Sequence, residues 1–213
     1  MIVAPSFLTA DFTRIEAEIK SIASAKWLHF DVMDGLFVPN RTYDETMLRQ
    51  LRSQSDQFFD CHLMIVEPYR QARAYIEAGA DLVTFHYEAA QGLIDETISL
   101  IINAGCKVGI SIKPNTDPMV LAPYLARLDL VLIMSVEPGK GGQRFREEAL
   151  AKIRYLADHK RNHGNKYLIE VDGGINADTV QPVKEAGADV IVVGSYLFNQ
   201  TDRARAIEAM ENV

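Results

Sequence analysis

Eight short apolar runs, spread along the whole chain and separated by stretches with a helical rhythm, leave this sequence few architectures. The runs are MIVAPS, WLHFDVM, FFDCHLMI, DLVTFHY, CKVGISI, DLVLIMSV, KYLIEVD and DVIVVGS, each of strand length and rich in aliphatic or β-branched residues. Between them, Phe12 to Ile22, Pro68 to Ala78, Leu93 to Asn103, Glu147 to Ala157 and Thr179 to Ala186 repeat apolar residues at helical spacing, and several end near a glycine. The pattern EAGAD occurs twice, at Glu77 to Asp81 and Glu185 to Asp189, each time where a helix stops and a strand begins. Strands joined through helices of this length pair in parallel by right-handed crossovers, and eight such units predict an α/β fold of the (β/α)8 TIM-barrel type. A doubly wound open sheet is the competing arrangement. The barrel is preferred because polar residues gather at the carboxyl ends of several runs, where a barrel collects them into one mouth and an open sheet spreads them along a crevice.

The length of 213 residues, with no linker, low-complexity tract or charge block, predicts one barrel domain over residues 1–213. A net charge of -7 argues against nucleic acid or an anionic membrane as the main partner, while leaving room for a phosphorylated small molecule. Cys61 and Cys106 lie in apolar stretches and supply no disulfide framework, so both are expected to be reduced and buried. The opening MIVAPSFLTADF has no basic region followed by a long apolar segment, and no window approaches the ~20 apolar residues of a membrane span. A cytoplasmic enzyme is the expectation.

Within WLHFDVM, His29, Asp31 and Met33 are spaced by two, so a strand projects all three to one face while Phe30 and Val32 take the other. The same parity puts His62 and Met64 on one face, and Asp172 ends its own run. Barrel interiors are ordinarily filled with branched apolar side chains, so four buried ionisable groups without a cation would be costly. Two imidazoles and two carboxylates suit one divalent transition metal, such as zinc, iron, manganese or cobalt, better than magnesium or calcium. Taken singly, each histidine reads as well as a satisfied core residue, and each aspartate as a cap or loop residue. Glycine-rich turns follow three of the runs, at Pro138 to Gln143, Asp172 to Asn176 and Val193 to Ser195. The last two fall where barrels commonly build phosphate sites.

Together these segments resemble the ribulose-phosphate 3-epimerase family, from PSFLTADF through HFDVMDGLFVPN, CHLMIVEP, TFHYEA, MSVEPGKGGQRF and EVDGGIN to the VGS near the carboxyl end. The resemblance implies a barrel of the ribulose-phosphate-binding type that interconverts D-ribulose 5-phosphate and D-xylulose 5-phosphate with a bound divalent metal. It implies metal ligation by His29, Asp31, His62 and Asp172, with Asp31 and Asp172 as the acid/base pair. It further implies that Ser6 contacts the substrate or the metal ligands, and that His29, His62, Gly139, Lys140, Gly141, Gly142, Gly173, Gly174, Gly194 and Ser195 surround the substrate and its phosphate. Met33, Met64 and Met134 look like the methionines that line the family's reaction centre, although barrel packing explains them equally well. Removing a proton from one face of a carbon beside a ketone and returning one to the other requires two acid/base groups on opposite faces.

The chain departs from the family pattern at Thr9, Leu36, Asp44 and Lys140, where serine, histidine, glycine and phenylalanine are usual. Thr9 keeps a hydroxyl; Leu36, Asp44 and Lys140 are placed to alter substrate fit without touching the metal site, Lys140 either adding a cation for phosphate or pointing to solvent. Other readings are an allulose-6-phosphate 3-epimerase, which Gly173 and Gly174 disfavour, and a sugar-phosphate binder without turnover. Barrels of this kind commonly self-associate, so a homo-oligomer is expected.

Overall fold

The computed structural model describes residues 1–213 and arranges the eight apolar runs as eight parallel strands in one sheet. These are β1 (Ile2–Pro5), β2 (Trp27–Met33), β3 (Phe58–Met64), β4 (Leu82–His86), β5 (Lys107–Ile112), β6 (Leu130–Met134), β7 (Leu168–Asp172) and β8 (Val190–Val193). Neighbours in the chain are neighbours in the sheet from β2 to β8, β8 then pairs with β1, and a Ser6–His29 bridge closes β1 onto β2. The barrel predicted from the alternation of runs is the one found.

The helices are α1 (Ile15–Ser21), α2 (Glu45–Arg52), α3 (Pro68–Glu77), α4 (Ile94–Asn103), α5 (Glu148–His163), α6 (Val180–Ala186), α7 (Ser195–Phe198) and α8 (Arg203–Glu211). The segment read as a helix from Phe12 begins as a 3-10 turn over Phe12–Arg14, which Asp11 caps by accepting the Thr13 N–H, and only then becomes α1. Between β5 and β6 the crossover has no α-helix; Pro114, Pro118 and Pro123 interrupt the backbone ladder, and two 3-10 turns span the gap. The α5 helix runs six residues past the expected Ala157 to Gly164, whose positive φ of 67° ends it.

Side chains sort by strand parity into two cores. Phe30, Phe59, Leu63, Phe85, Ile110, Ile133, Val171 and their outward-facing neighbours pack against the helices in one continuous apolar layer. Inside the barrel, Leu82, Leu130, Leu132 and Met134 fill the space around Trp27, Phe58 and Leu168. Each fully buried large aliphatic or aromatic side chain contributes about 1.5–3 kcal/mol through area removed from water. Cys61 and Cys106 are unpaired and buried, as expected. No helix is long and apolar enough to cross a membrane.

The EAGAD repeat has a structural explanation. The Oδ2 atoms of Asp81 and Asp189 accept backbone N–H groups one strand back, from Phe59 at 2.7 Å and Ile169 at 2.8 Å, and Asp129 does the same for Val108 at 2.9 Å. Arg52 and Lys160 neutralise the first two carboxylates at 3.0 and 2.9 Å. These aspartates latch adjacent strands at the end of the barrel away from the mouth. Asp189→Ala is therefore expected to cost about 1–3 kcal/mol of stability by orphaning a backbone donor. Activity per folded molecule should stay unchanged, which urea titration beside an activity assay will check.

Candidate metal and active site

Strand register brings the site together two strands at a time. On β2 and β3, His29 lies beside Asp60, Asp31 beside His62, and Met33 beside Met64, all on the inward face. On the far side of the barrel, β7 carries Glu170 and Asp172 beside Leu132 and Met134 of β6. One donor atom from each of His29, Asp31, His62 and Asp172 falls within 4.8 Å of the others. The four residues singled out in the sequence thus converge, with Asp31 and Asp172 approaching from opposite walls.

Hydrogen bonds orient these groups. The Ser6 hydroxyl donates to Asp31 Oδ2 at 2.7 Å, leaving Oδ1 facing His62 Nδ1 at 3.2 Å and His29 Nε2 at 3.4 Å. His29 is fixed from behind by Asp60, whose Oδ2 lies 2.6 Å from Nδ1. With Nδ1–H committed to Asp60, the neutral His29 ring presents the Nε2 lone pair, the form a metal would bind in place of a proton. That atom is fully buried, has no hydrogen-bond partner, and is directed at the other three ligands. A carboxylate behind the distal nitrogen and an unpartnered nitrogen in front is the usual setting of a metal-binding imidazole. The residues present therefore fit a divalent metal held by two nitrogens and two oxygens, a donor set suited to transition ions.

The electrostatics favour positive charge at the same point. Burial would lower the His29 pKa, but Asp60 and Asp31 outweigh it and raise His29 well above the ordinary histidine value. Burial would raise Asp31, yet the His29 charge and the close approach of the His29 and His62 rings hold it far below the usual carboxylate range. His62 is lowered, chiefly by burial. Asp172 goes the opposite way, pushed up to about 7 by burial and by the charges of Asp31 and Asp60. The two neighbouring carboxylates thus have proton affinities driven in opposite directions. Glu170, fully buried beneath them, is raised well above its usual value by burial and by Asp60.

Above the ligands opens a cavity of about 750 Å³, a volume suited to a small phosphorylated metabolite. Its floor holds Asp31, Asp172 and the buried methionines Met33, Met64 and Met134, and its wall includes Ser6, Thr9, Gly139, Lys140, Gly141, Gly142, Gly173, Gly174, Gly194 and Ser195. His29 and His62 do not line this cavity; both are completely buried beneath its floor, where they face the two aspartates as the inner half of the ligand cluster. Gly173 and Gly174 adopt positive φ values of 115° and 65°. A Cβ on Gly174 would lie 2.2 Å from the Phe145 backbone nitrogen, so the turn is closed to any other residue.

The departures from the family pattern separate here. Asp44 does not line the cavity; it caps α2 by accepting the Met47 N–H at 2.9 Å. Leu36 is 75% exposed and also lies outside the lining. Lys140 does line the cavity, within an exposed stretch whose chain is held by Gln143 bonding the Glu137 and Lys140 carbonyls. Thr9 keeps a hydroxyl role, donating to the Ser6 carbonyl at 3.2 Å. Sequence reading passed over Asp60 and Glu170, although each sits two residues before a ligand and so shares its inward face. It also passed over Arg144, an exposed cation in the cavity lining that takes part in no ion pair.

Comparison with known proteins follows this geometry. The family model described as the ribulose-phosphate 3 epimerase family matches residues 2–198. The ribulose-phosphate 3-epimerase of Mycobacterium leprae is 46% identical over 209 residues, covering 98% of this chain and 93% of that protein. That of Bacillus subtilis is 44% identical over 208 residues, covering 96% and 95%. That of Schizosaccharomyces pombe is 40% identical over 215 residues, covering 99% and 92%. Among solved structures, a 3-keto-L-gulonate-6-phosphate decarboxylase from Vibrio cholerae superposes with a TM-score of 0.73 at 15% identity, over 100% of this chain and 97% of that one. At that identity the likeness speaks to the barrel fold alone. On its match along nearly the whole sequence, the chain belongs to the ribulose-phosphate 3-epimerase family and is an isomerase.

Proposed function

We propose that this protein is a metal-dependent ketose-phosphate 3-epimerase that interconverts D-ribulose 5-phosphate and D-xylulose 5-phosphate. The observation that supports the reading is the convergence of His29, Asp31, His62 and Asp172 beneath one cavity, with Asp31 and Asp172 both on its floor. When bound, a transition metal held by His29, Asp31, His62 and Asp172 supplies Lewis-acid stabilisation of the negative charge that builds up when C3 loses its proton.

The chain's own residues do the rest. One aspartate takes the proton from C3 on its side of the sugar, and the other, protonated, returns one from the opposite side, which inverts the centre. Ser6 holds the Asp31 carboxylate in one orientation through Oδ2. Met33, Met64 and Met134 present apolar surface at the floor and keep bulk water from the reacting carbon. The glycine turns at Gly139–Gly142, Gly173–Gly174 and Gly194–Ser195 leave space along the wall for the phosphate, and Lys140 and Arg144 place cations at the same rim. On this reading residues 1–213 act as one barrel domain, expected to self-associate as a homo-oligomer.

Incubation with ribulose 5-phosphate in deuterated water tests the reaction. The product and recovered substrate should carry deuterium at C3. A protein that binds the sugar phosphate and leaves C3 unexchanged would be a binder and no epimerase. Running allulose 6-phosphate in parallel separates the pentose from the hexose substrate, with the pentose expected to turn over faster.

A further inference from the structure

The TFHYEA motif at the end of β4 contributes no ligand and no cavity wall, yet His86 is completely buried and touches the ligand set directly. We propose that His86 and Glu88 are positioning residues that hold His62 in the one tautomer able to ligate a metal through Nδ1. The proposal rests on the metal site described above.

The argument is one of proton placement. His62 turns Nδ1 toward Asp31 and the ligand cluster, so ligation requires its proton on Nε2. Asp31 works against this, because a carboxylate 3.2 Å away draws a proton onto Nδ1 and blocks the lone pair. An outer acceptor must compete. His62 Nε2 lies 2.9 Å from His86 Nε2, and two ring nitrogens share a hydrogen bond only if one carries the proton and the other is bare. For His62 Nε2 to donate, His86 must keep its own proton on Nδ1. That atom lies 3.2 Å from Glu88 Oε2, which as a carboxylate oxygen only accepts.

Glu88 is fixed in this role from its other side. Its Oε1 accepts the Lys113 backbone N–H at 2.8 Å and the Thr116 hydroxyl. Burial would raise its pKa, but hydrogen bonds from His86, Thr116 and Lys113 hold it down to about 2. Behind this layer, Lys152 of α5 donates to the Lys113 and Thr116 carbonyls at 3.0 and 2.6 Å and pins the loop after β5. Phe37 covers the His86 ring at 4.7 Å between centroids, shielding the relay from the mouth. Every donor in the chain from His62 to Glu88 points outward, and reversing any one reverses the next. Outer partners of this kind typically alter metal affinity by about 10–100-fold.

Glu88→Gln is the sharpest test because it keeps the shape and breaks the logic. An amide has one accepting and one donating end, so whichever way it turns, an N–H meets either His86 Nδ1–H or the Lys113 backbone N–H. Zn²⁺ affinity of the purified protein, measured by competition with a chromophoric chelator, should weaken about 10–100-fold. The metal-free protein should also melt a few degrees lower, because the amide leaves one N–H facing another; the weakened Zn²⁺ affinity is the readout that separates positioning from a purely structural role. Ribulose 5-phosphate turnover should fall at limiting Zn²⁺ and recover substantially at saturation, with KM unchanged. Thr116→Val, which removes one donor to Glu88, should weaken Zn²⁺ binding in the same direction by a smaller factor. Equal Zn²⁺ affinity in wild type and Glu88→Gln would overturn the proposal, as would a lowered metal-free melting temperature with affinity intact. Wild-type protein that fails to bind Zn²⁺ at all would instead remove the metal site on which the proposal stands.

Discussion

Replacing Asp172 by asparagine is expected to lower epimerisation of ribulose 5-phosphate by about 10³-fold or more, in both directions. Each direction needs one aspartate to take the C3 proton and the other to return one, so losing either member stops both. Asparagine keeps the shape of the side chain but can neither accept nor deliver that proton, and it supplies a weaker metal ligand. The fold should survive. Asp172 is a group whose ionised form is disfavoured by burial and by Asp31, so removing its charge takes an unfavourable element from the metal-free protein. Its melting temperature should hold or rise while turnover collapses. Asp31→Asn should be equally inactive for a different reason, since Asp31 is also the acceptor for Ser6 and the neighbour of both histidines. Substantial turnover in either variant rules out the two-aspartate assignment.

Stripping the metal is the second change with a large expected effect. Chelation should abolish turnover, and adding back zinc, iron, manganese or cobalt should restore it, whereas magnesium and calcium should restore little because they prefer all-oxygen ligands. The chelated protein also loses binding stabilisation, which at a metal concentration of about 100 times Kd amounts to roughly 2.7 kcal/mol. Its melting temperature should therefore fall and return with the ion. The barrel should remain assembled, because the apolar layer between strands and helices and the aspartate latches at its far end do not depend on the site. Full activity in rigorously metal-free protein would exclude the Lewis-acid role.

Much of the site is legible in the sequence. The period-two spacing of His29, Asp31 and Met33 on one run, and of His62 and Met64 on another, placed those side chains inside the barrel because strand parity admits no other outcome once the outward positions are apolar. Asp172 was legible for the same reason at the end of β7. The parity rule applies equally to Asp60 and Glu170, one step deeper on the same faces, and there the signal was present but unread. His86 and Glu88 were harder, since their importance arises from contacts to β3 and to the loop after β5 that strand parity cannot reveal. No helical spacing is read between β5 and β6, and three closely spaced prolines explain why 3-10 turns span that crossover. The end of α5 was read short because Asp158 to His163 is polar on every side, so apolar periodicity vanishes while the helix continues to Gly164. The roles expected of Leu36 and Asp44 in substrate fit illustrate the opposite limit: a difference from a family pattern says where to look, and the cap on α2 explains Asp44 without any substrate.

The account stands on two imidazoles from β2 and β3 meeting two carboxylates from β2 and β7 around a single ion. Anomalous diffraction at the absorption edge of the native metal locates that ion independently of activity. One ion at full occupancy, bonded at about 2.0–2.2 Å to nitrogen and oxygen atoms of His29, Asp31, His62 and Asp172, is the predicted result. An ion bound elsewhere, or an active crystal with no anomalous peak among these four side chains, would contradict it.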